Sequence, residues 1–345
     1  MEQEHKRRVR YKGTHPRNFR EKYKELNPEK YQADVEKIIQ SGKTPAGTHI
    51  PIMVNEILEV LDIQPGQVGY DATLGYGGHT RKMLEKLEGQ GHLYATDVDP
   101  IESEKTRARL ENAGYGADIL TIRRMNFAQI DQVAPGVKFD FVLADLGVSS
   151  MQIDDPERGF TFKYDGPLDL RLDPTSGVPA AQRLRELDEE ELTALLVENS
   201  DEPYAARIAK AVMTVYRKGG RIDTTKELAA VIESALSFLP AGERKEAVKK
   251  SCQRVFQALR IDVNSEFEVL YAFLEKLPTV LKSGGRAAIL TFHSGEDRLV
   301  KQAFRQYRRE GVYSDVCEDV IRPSAQECFR NPRARSTKLR WAVRA

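Results

Sequence analysis

The sequence contains little cysteine and no long apolar run, and each shortage excludes a class of protein. Only 3 of its 345 residues are cysteine, too few for a disulfide framework and without the close pairing of a zinc site. No stretch of about 18 apolar residues is present, which excludes a membrane-spanning helix. The N-terminus is charged from Glu2 onward and lacks the apolar centre of a signal peptide, so we expect a cytoplasmic protein.

Charge is distributed unevenly along the chain, although the net value is only +1. Residues 1–47 hold 12 Lys and Arg against 7 Asp and Glu, and residues 298–345 hold 12 against 5. The residues between them therefore have a net charge of −11. Basic ends on an acidic body indicate a polyanion bound at particular edges, although solvated, charged termini would give the same pattern.

Strand-like and helical segments alternate after residue 48. Strands are predicted at 67–73, 91–97, 118–124, 139–145 and 286–292, and helices separate the first three. This alternation is typical of an α/β protein with a doubly wound parallel sheet. A last alternating segment at 337–343 is predicted to be a strand, with 315–321 as its candidate partner.

Two regions interrupt the α/β pattern. Residues 1–47 are predicted to be a basic N-terminal arm with one short helix, which starts at Pro28 after an Asn27 cap and ends at Gly42. Residues 154–259 are predicted to be an inserted helical domain for substrate recognition, because their apolar residues recur at helical spacing. The core domain would then comprise 48–153 and 260–345.

A glycine-rich turn follows the first predicted strand. Gly75, Gly77, Gly78 and His79 lie where backbone N–H groups and a helix N-terminus approach a ligand. A dinucleotide-binding loop would need another glycine at position 80, which is Thr80, so the loop disfavours NAD. In a methyltransferase the same turn faces a methionine carboxylate and amine rather than a pyrophosphate.

Acidic and aromatic residues end the next two strands. Asp97, 22 residues after Gly75, is placed to accept the ribose hydroxyls of an adenosine cofactor. Asp99 is the competing candidate, and one of the two is expected to be only a helix cap. Phe127 would lie against the adenine or pack in the core.

The fourth predicted strand ends at Asp145, at the crevice where doubly wound sheets bind ligands. Many enzymes that methylate amino groups of nucleic acids hold the target amine there with an Asp/Asn-Pro-Pro-aromatic loop. This chain has no such loop, so the sequence after Asp145 does not identify the acceptor.

The stretch that follows is dense in acids, arginines and aromatics, among them Arg158, Phe160, Asp169 and Arg171. Such a loop suits a base that is flipped out of its stack, but a rigid loop tied by its own turns and salt bridges would look the same. His293 ends the fifth predicted strand at the same rim, and its role is either functional or structural.

Seven motifs together resemble one family. They are GGH at 77–79, DLGVSS at 145–150, DDPERGF at 154–160, DGPLD at 165–169, FQALRI at 256–261, FHSGEDR at 292–298 and NPRARS at 331–336. In this order they are similar to the ribosomal RNA small-subunit methyltransferase H family, also called MraW. The resemblance runs from about residue 48 to residue 345.

The resemblance implies a class I S-adenosylmethionine-dependent methyltransferase with a Rossmann-like sheet and an inserted helical domain. The acceptor it implies is the N4 atom of a cytosine in the decoding region of 16S rRNA, which makes the small ribosomal subunit the partner. Cofactor contacts carry over by motif position to Gly77, Gly78, His79, Asp97, Phe127, Asp145 and Gln152.

For the reaction, our hypothesis is that Asp145 accepts a hydrogen bond from the target amine, while Asp169 and His293 orient the base or relay the proton. Contacts with RNA are predicted for Arg158, Phe160, Arg171, Arg298, Arg333 and Arg335. No metal is expected, and both a monomer and a homodimer are compatible with the sequence.

The chain also departs from the family pattern. Met151 stands where the family usually has Pro, Gly295 where it has Leu, and residues 250–254 replace a His-Pro-Ala-Thr-Arg run. The arm has no counterpart in the standard member, and the segment between Arg298 and Asn331 is shorter than usual. The alternatives are a methyltransferase of another RNA or protein acceptor, a non-catalytic ribosome-assembly factor, and an NAD-dependent oxidoreductase, which Thr80 disfavours.

Overall fold

A mixed sheet of seven strands forms the centre of residues 51–345, the part of the chain that the computed structural model describes. The strands are β1 (Val68–Asp71), β2 (His92–Asp97), β3 (Leu120–Arg124), β4 (Phe139–Asp145), β5 (Leu281–Thr291), β6 (Tyr313–Val316) and β7 (Lys338–Arg344). Their order is β3-β2-β1-β4-β5-β7-β6, with β7 antiparallel to both neighbours. The order reverses between β1 and β4, the place where doubly wound sheets bind ligands.

Helices cover both faces of this sheet. The helices of residues 51–345 are α1 (Val54–Leu61), α2 (Gly78–Leu87), α3 (Pro100–Asn112), α4 (Ile130–Val133), α5 (Ser150–Asp154), α6 (Ala180–Glu186), α7 (Glu189–Ser200), α8 (Ala205–Arg217), α9 (Thr225–Ala235), α10 (Ala241–Val263), α11 (Glu266–Val280), α12 (Ser294–Arg309) and α13 (Ala325–Arg330). Of these, α6 to α10 pack on one another rather than on the sheet. Along β4, Val142 and Ala144 enter the core on one face, and Phe141 and Leu143 enter the core on the other. Burial on both faces explains why this strand is almost continuously apolar.

The helices α6 to α10 surround a third hydrophobic core, which contains Leu184, Leu196, Ile208, Ile232 and Leu259. Residues 51–345 nevertheless form one compact unit. Helix α10 continues to Val263, beyond the predicted boundary at 259. That residues 154–259 act as a substrate-recognition domain stays a prediction.

The two connections between this helical insertion and the sheet meet at Asn264, immediately after α10. The Asn264 side chain accepts a hydrogen bond from the Leu172 N–H (2.7 Å) and donates one to the Leu170 carbonyl (2.8 Å). We call these three residues the neck. The neck joins the loop that enters the insertion to the residue that leaves it.

The predicted strands are confirmed, with one boundary corrected. β5 starts at Leu281 rather than at 286, because the strand shifts register opposite Phe139 and Phe141 and bends at Gly284, whose φ is +76°. The partner of β7 is β6 at Tyr313–Val316, and Ile321 adds an isolated bridge to Leu339. The helix predicted in the arm lies outside the described residues. None of the described helices has both the length and the apolar character needed to span a membrane.

Candidate active site

The loop between β1 and α2 presents backbone rather than side chains to the crevice. The Gly75 N–H donates to Asp97 Oδ2 (2.8 Å), and the Gly75 carbonyl accepts from the Thr106 hydroxyl (2.6 Å). Gly77, with φ +80°, lies so close to α3 that a Cβ would be 2.7 Å from Thr106 Cγ2. A Cβ at Gly75 would meet nothing closer than 3.8 Å, so the chain is open to a ligand at this point.

Asp97 is the carboxylate that the glycine turn encloses. One oxygen accepts from the Gly75 N–H and the other from the Asp99 N–H (2.9 Å). Burial, together with the negative charges of Asp99 and Asp71, raises the pKa of Asp97 to about 6. A carboxylate has about four acceptor positions, so capacity remains here for the two hydroxyls of a ribose.

Asp99 is the helix cap that the sequence left as an alternative. One oxygen accepts from two backbone N–H groups in the first turn of α3. The other oxygen accepts from Gln152 Nε2 (2.8 Å) and Arg158 Nη1 (2.7 Å). Gln152, a predicted cofactor contact, is therefore engaged through its amide nitrogen. Its amide oxygen is engaged too, because it accepts from the Ser149 N–H (2.8 Å) at the start of α5.

Arg158, a predicted RNA contact, is buried and bound within the protein. Its side chain is 9% exposed, and besides Asp99 it donates to the carbonyl oxygens of Arg171 (3.2 Å) and Leu172 (2.8 Å). A buried guanidinium with these partners is committed to the interior of the protein. It joins the cofactor side of the site to the loop that carries Asp169.

Asp145 lies at the carboxyl end of β4 and faces His79. Asp145 Oδ2 is 3.4 Å from His79 Nδ1, and the Asp145 N–H donates to the Thr73 hydroxyl (2.7 Å). Asp145 Oδ1 is buried and accepts no hydrogen bond from the described residues. Buried polar atoms are nearly always paired, so this oxygen is a place in the crevice where a ligand can donate a hydrogen bond.

His79 is oriented so that its ring can form an ion pair with this carboxylate. Because the Ile52 carbonyl can only accept, His79 Nε2 donates to it (2.9 Å), which directs Nδ1 toward Asp145. Burial opposes charge on the ring, but the hydrogen bond with Asp145 and its negative charge outweigh burial and raise the pKa of His79. His79 thus joins the glycine turn to the β4 carboxylate, and the contact is an ion pair whenever the ring is protonated.

Asp169 and Arg171 bind each other. Both oxygens of Asp169 accept from the Arg171 guanidinium, each at 2.7 Å, across a left-handed Leu170 with φ +64°. Arg171 also donates to the Gly177 carbonyl (3.1 Å). The loop is therefore tied by its own salt bridge, which was one of the two interpretations of its composition.

His293 is the N-cap of α12. Its Nδ1 accepts weakly from the Glu296 N–H (3.5 Å), and its Nε2 is 3.2 Å from Glu296 Oε1. A Cβ on Gly295 would be 2.6 Å from Phe267 Cζ, so Phe267 occupies the space that the usual leucine would need. Within residues 51–345, no hydrogen bond or ion pair connects His293 or Asp169 to Asp145.

The remaining predicted arginines differ in how they are paired. Arg333 binds both oxygens of Asp154 (3.0 and 2.9 Å). Arg298 and Arg335 are exposed, and neither has a hydrogen bond or ion pair with another described residue. These two side chains are available for an anion.

The two predicted aromatic contacts are both partly buried. Phe127 packs edge to face on Phe273, with ring centroids 5.2 Å apart, beside the core under the sheet. Phe160 packs against the core of the insertion, and the Arg158 guanidinium lies 5.7 Å from its ring centroid. Packing accounts for much of the surface of each ring.

Two threonines, Thr73 after β1 and Thr80 in α2, hold the strand-end aspartates, and the sequence analysis gave neither this role. The Thr80 hydroxyl donates to the buried Asp71 (2.6 Å), and the Thr73 hydroxyl accepts from the backbone of Asp145. Position 80 is therefore used for a hydrogen bond rather than for close packing of helix on strand. Thr80 is 9 residues from Asp71 and Thr73 is 72 residues from Asp145 along the chain, so no pair of adjacent residues signalled these contacts.

Comparison with known proteins decides the family, because the family model for the MraW methylase family matches residues 46–345. This chain belongs to the MraW methylase family. Ribosomal RNA small subunit methyltransferase H 1 of Agathobacter rectalis is 66% identical over 345 residues, which are 100% of this chain and 99% of that protein. Ribosomal RNA small subunit methyltransferase H of Thioalkalivibrio sulfidiphilus is 39% identical over 324 residues, 88% of this chain and 99% of its own.

Among solved structures, the S-adenosylmethionine-dependent O-methyltransferase of Thermotoga maritima covers 90% of this chain and 71% of its own, with 10% identity and a TM-score of 0.41. The MraW methylase is a class I, S-adenosylmethionine-dependent methyltransferase. Its residues fit that cofactor. Gly75 leaves open space over the backbone, and Asp97 retains acceptor capacity for a ribose.

Proposed function

We propose that this methylase transfers a methyl group to the N4 atom of a cytosine in the decoding region of 16S rRNA, cytosine 1402 in rRNA numbering. The observation that carries the proposal is the buried Oδ1 of Asp145 at the carboxyl end of β4, which accepts no hydrogen bond from any residue of 51–345. The printed names of the relatives, ribosomal RNA small subunit methyltransferases, support the choice of acceptor.

The chemistry explains why an unpaired acceptor is useful there. The lone pair of a cytosine amino group is delocalised into the ring, so the amine is a poor nucleophile. Asp145 Oδ1 would accept one N–H of this amine and hold the nitrogen in a pyramidal geometry. Bound S-adenosylmethionine supplies an electrophilic methyl group. Once methylated, the nitrogen is acidic, and a weak base such as Asp145 or a water molecule can take its proton.

The surroundings of Asp145 fix its direction. Thr73 holds its backbone, and His79 holds Oδ2, so Oδ1 is the oxygen left for the substrate. A positively charged His79 would also strengthen the orientation of the carboxylate without entering the reaction. Asp169 and His293, each held by an internal partner, would shape the pocket for the base rather than carry the proton.

RNA would reach this pocket across the rim, where Arg298 and Arg335 are exposed and unpaired by described residues. Recognition of a structured RNA relies on shape and on bases displaced from their stack, with cations on the phosphates. The small ribosomal subunit would then be the partner, and the protein would act in the cytoplasm.

The test uses radiolabelled S-adenosylmethionine, small subunits from a strain that lacks this gene, and nucleoside analysis of the product. The full-length wild-type protein is expected to produce N4-methylcytidine at the decoding-region cytosine. Asp145→Ala should lower kcat by about 10²- to 10³-fold, as expected for the loss of one group that stabilises the transition state. Asp315→Ala, which removes an exposed carboxylate on β6, is the control and should leave kcat unchanged.

Other outcomes separate the alternatives. Label on another RNA or on a protein would keep the chemistry and change the acceptor. No label on any substrate, with S-adenosylmethionine still bound, would favour the assembly factor. Near-normal turnover by Asp145→Ala would remove Asp145 from the mechanism.

A further inference from the structure

We infer that Phe329 stacks on an unpaired nucleobase beside the target nucleotide. Phe329 lies on the rim segment, which we define as residues 324–336, containing α13 and the 3₁₀ helix Pro332–Ser336. The inference rests on the proposed RNA substrate and adds a residue that positions it. No motif of the sequence pointed to this residue.

The rim segment is fastened to both sides of the active site. On one side, Glu327 Oε1 accepts from the Met53 N–H (2.7 Å), and the preceding residue, Ile52, holds His79. On the other side, Arg333 binds Asp154 at the end of α5, the helix that follows the Asp145 loop. The segment therefore has a fixed position at the mouth of the crevice.

The end of the rim segment is placed by the sheet as well. β7 begins at Lys338, which pairs with Thr291 at the carboxyl end of β5. The preceding 3₁₀ helix consequently lies at the same edge of the sheet as Asp145, because β4 and β5 are parallel and in register there.

Phe329 is 85% exposed, more than any other large hydrophobic side chain in residues 51–345. The next exposed aromatic residues are Tyr271 at 65% and Phe238 at 51%, and Arg207 lies over the Phe238 ring at 4.2 Å. Phe329 makes no ring contact within the described part of the chain. Its helix offers no neighbouring apolar surface on which the ring could pack, since α13 has no buried residue.

The charges around Phe329 favour a nucleic acid over an apolar partner. Arg330 and Arg335 are exposed, and neither is bound to a described residue. An exposed aromatic ring on a segment that also carries these two arginines matches a base and its flanking phosphates. When the target base is flipped into the crevice, the adjacent base loses the base on which it was stacked. The Phe329 ring at the mouth of the crevice can take the place of the missing base.

The experiment compares full-length variants in methylation of small subunits. Phe329→Ala should raise KM for the subunit by about 5- to 100-fold, the range expected when one stacked base is lost. The kcat at saturating substrate and the Kd for S-adenosylmethionine should not change. Phe329→Tyr should restore KM, because it keeps the ring. Tyr271→Ala, the matched loss of an exposed aromatic ring on α11, should have no effect.

A crosslinking experiment gives the position directly. A benzoylphenylalanine placed at position 329 should crosslink to a nucleotide adjacent to the target cytosine, seen as a reverse-transcription stop. Crosslinks to a ribosomal protein alone would overturn the inference, as would an unchanged KM in Phe329→Ala or a failure of Phe329→Tyr to restore it. If the wild-type protein does not methylate the subunit, the proposed function fails instead, so the two failures are distinguishable.

Discussion

The cofactor side and the rim of this active site differ in how their charged side chains are paired. On the cofactor side, Asp71, Asp97 and Asp99 are held by hydrogen bonds from the protein itself. On the rim, Arg298 and Arg335 are exposed and lack a partner among the described residues. A buried charge without partners is strongly unfavourable, whereas an exposed cation is solvated until an anion arrives.

This difference separates what each side contributes. The cofactor side has its geometry before any ligand binds, because its carboxylates are fixed by backbone N–H groups, hydroxyls and one buried guanidinium. The two exposed arginines of the rim, Arg298 and Arg335, would gain their partners from the substrate. Substitutions on the first side should change stability and cofactor affinity, and substitutions on the second should change the salt dependence of RNA binding.

The largest effect is expected for Arg158→Ala. The substitution leaves the Asp99 carboxylate buried without its counter-charge and removes a donor from the Arg171 and Leu172 carbonyls. Breaking a buried ion pair in this way costs about 3–5 kcal/mol of unfolding free energy. Urea denaturation followed by circular dichroism measures it.

Arg335→Ala is the matched control for Arg158→Ala, and its stability should lie within about 0.5 kcal/mol of wild type. Arg158→Lys, which keeps the charge but not the planar fork, should fall between the two. Equal free energies of unfolding for Arg158→Ala and Arg335→Ala would contradict the conclusion that only the cofactor side depends on buried ion pairs.

The next effect concerns Asp97 and pH. Its pKa in the free protein, about 6, lies above the ordinary value of 3.8. Ribose hydroxyls donate to the ionised carboxylate, so cofactor affinity should fall as pH decreases through about 6, by up to tenfold per pH unit. Calorimetric Kd values for S-adenosylmethionine between pH 5 and 8 would show the change.

Stability should respond to the same group with the opposite sign. Because folding raises the pKa of Asp97, protonation favours the folded state, and the contribution of this residue is lost as pH rises through about 6. Asp97→Asn should lack both dependences, so each is read as the difference between wild type and this variant. A wild-type affinity that is flat across this range would exclude Asp97 from the ribose site.

The smallest effect belongs to the rim. Arg298→Gln and Arg335→Gln should each reduce the slope of log K against log salt for RNA binding by about 1, which is about fourfold between 50 and 200 mM salt. Filter binding of small-subunit RNA at several salt concentrations measures the slope. Arg221→Gln, which removes an exposed arginine already bound to Asp223, should leave the slope unchanged.

The parts of the fold that were predictable are those with a local signal. β4 was predicted at its observed bounds because a strand buried on both faces is a continuous apolar run. The start of β5 was not, because its first residues include Gly284 and Gly285 and a register shift that depends on Phe139 in another strand. α13 and its exposed phenylalanine carried no periodic pattern at all.

The candidate site shows the same limit at the level of side chains. Residue types at strand ends located Asp97 and Asp145, but the role of Arg158 depends on Asp99, which is 59 residues away along the chain. When the partner of an arginine is far away in the sequence, the arginine looks unpaired and is predicted to contact RNA. By contrast, Asp169 and Arg171 are only two residues apart, so the sequence allowed a loop held rigid by its own salt bridge to be considered.

The neck has a consequence for how this enzyme can diversify. Asn264 joins the two ends of the helical insertion, so the chain from Leu172 to Asn264, which are 92 positions apart, forms a loop that is closed where it meets the sheet. Residues inside that loop can be exchanged while the strands keep their register, as the altered run at 250–254 illustrates. There Ser251 donates to the buried Glu202 (2.9 Å) within the insertion itself. The insertion can therefore evolve as a replaceable module, while the methyl-transfer machinery stays the same.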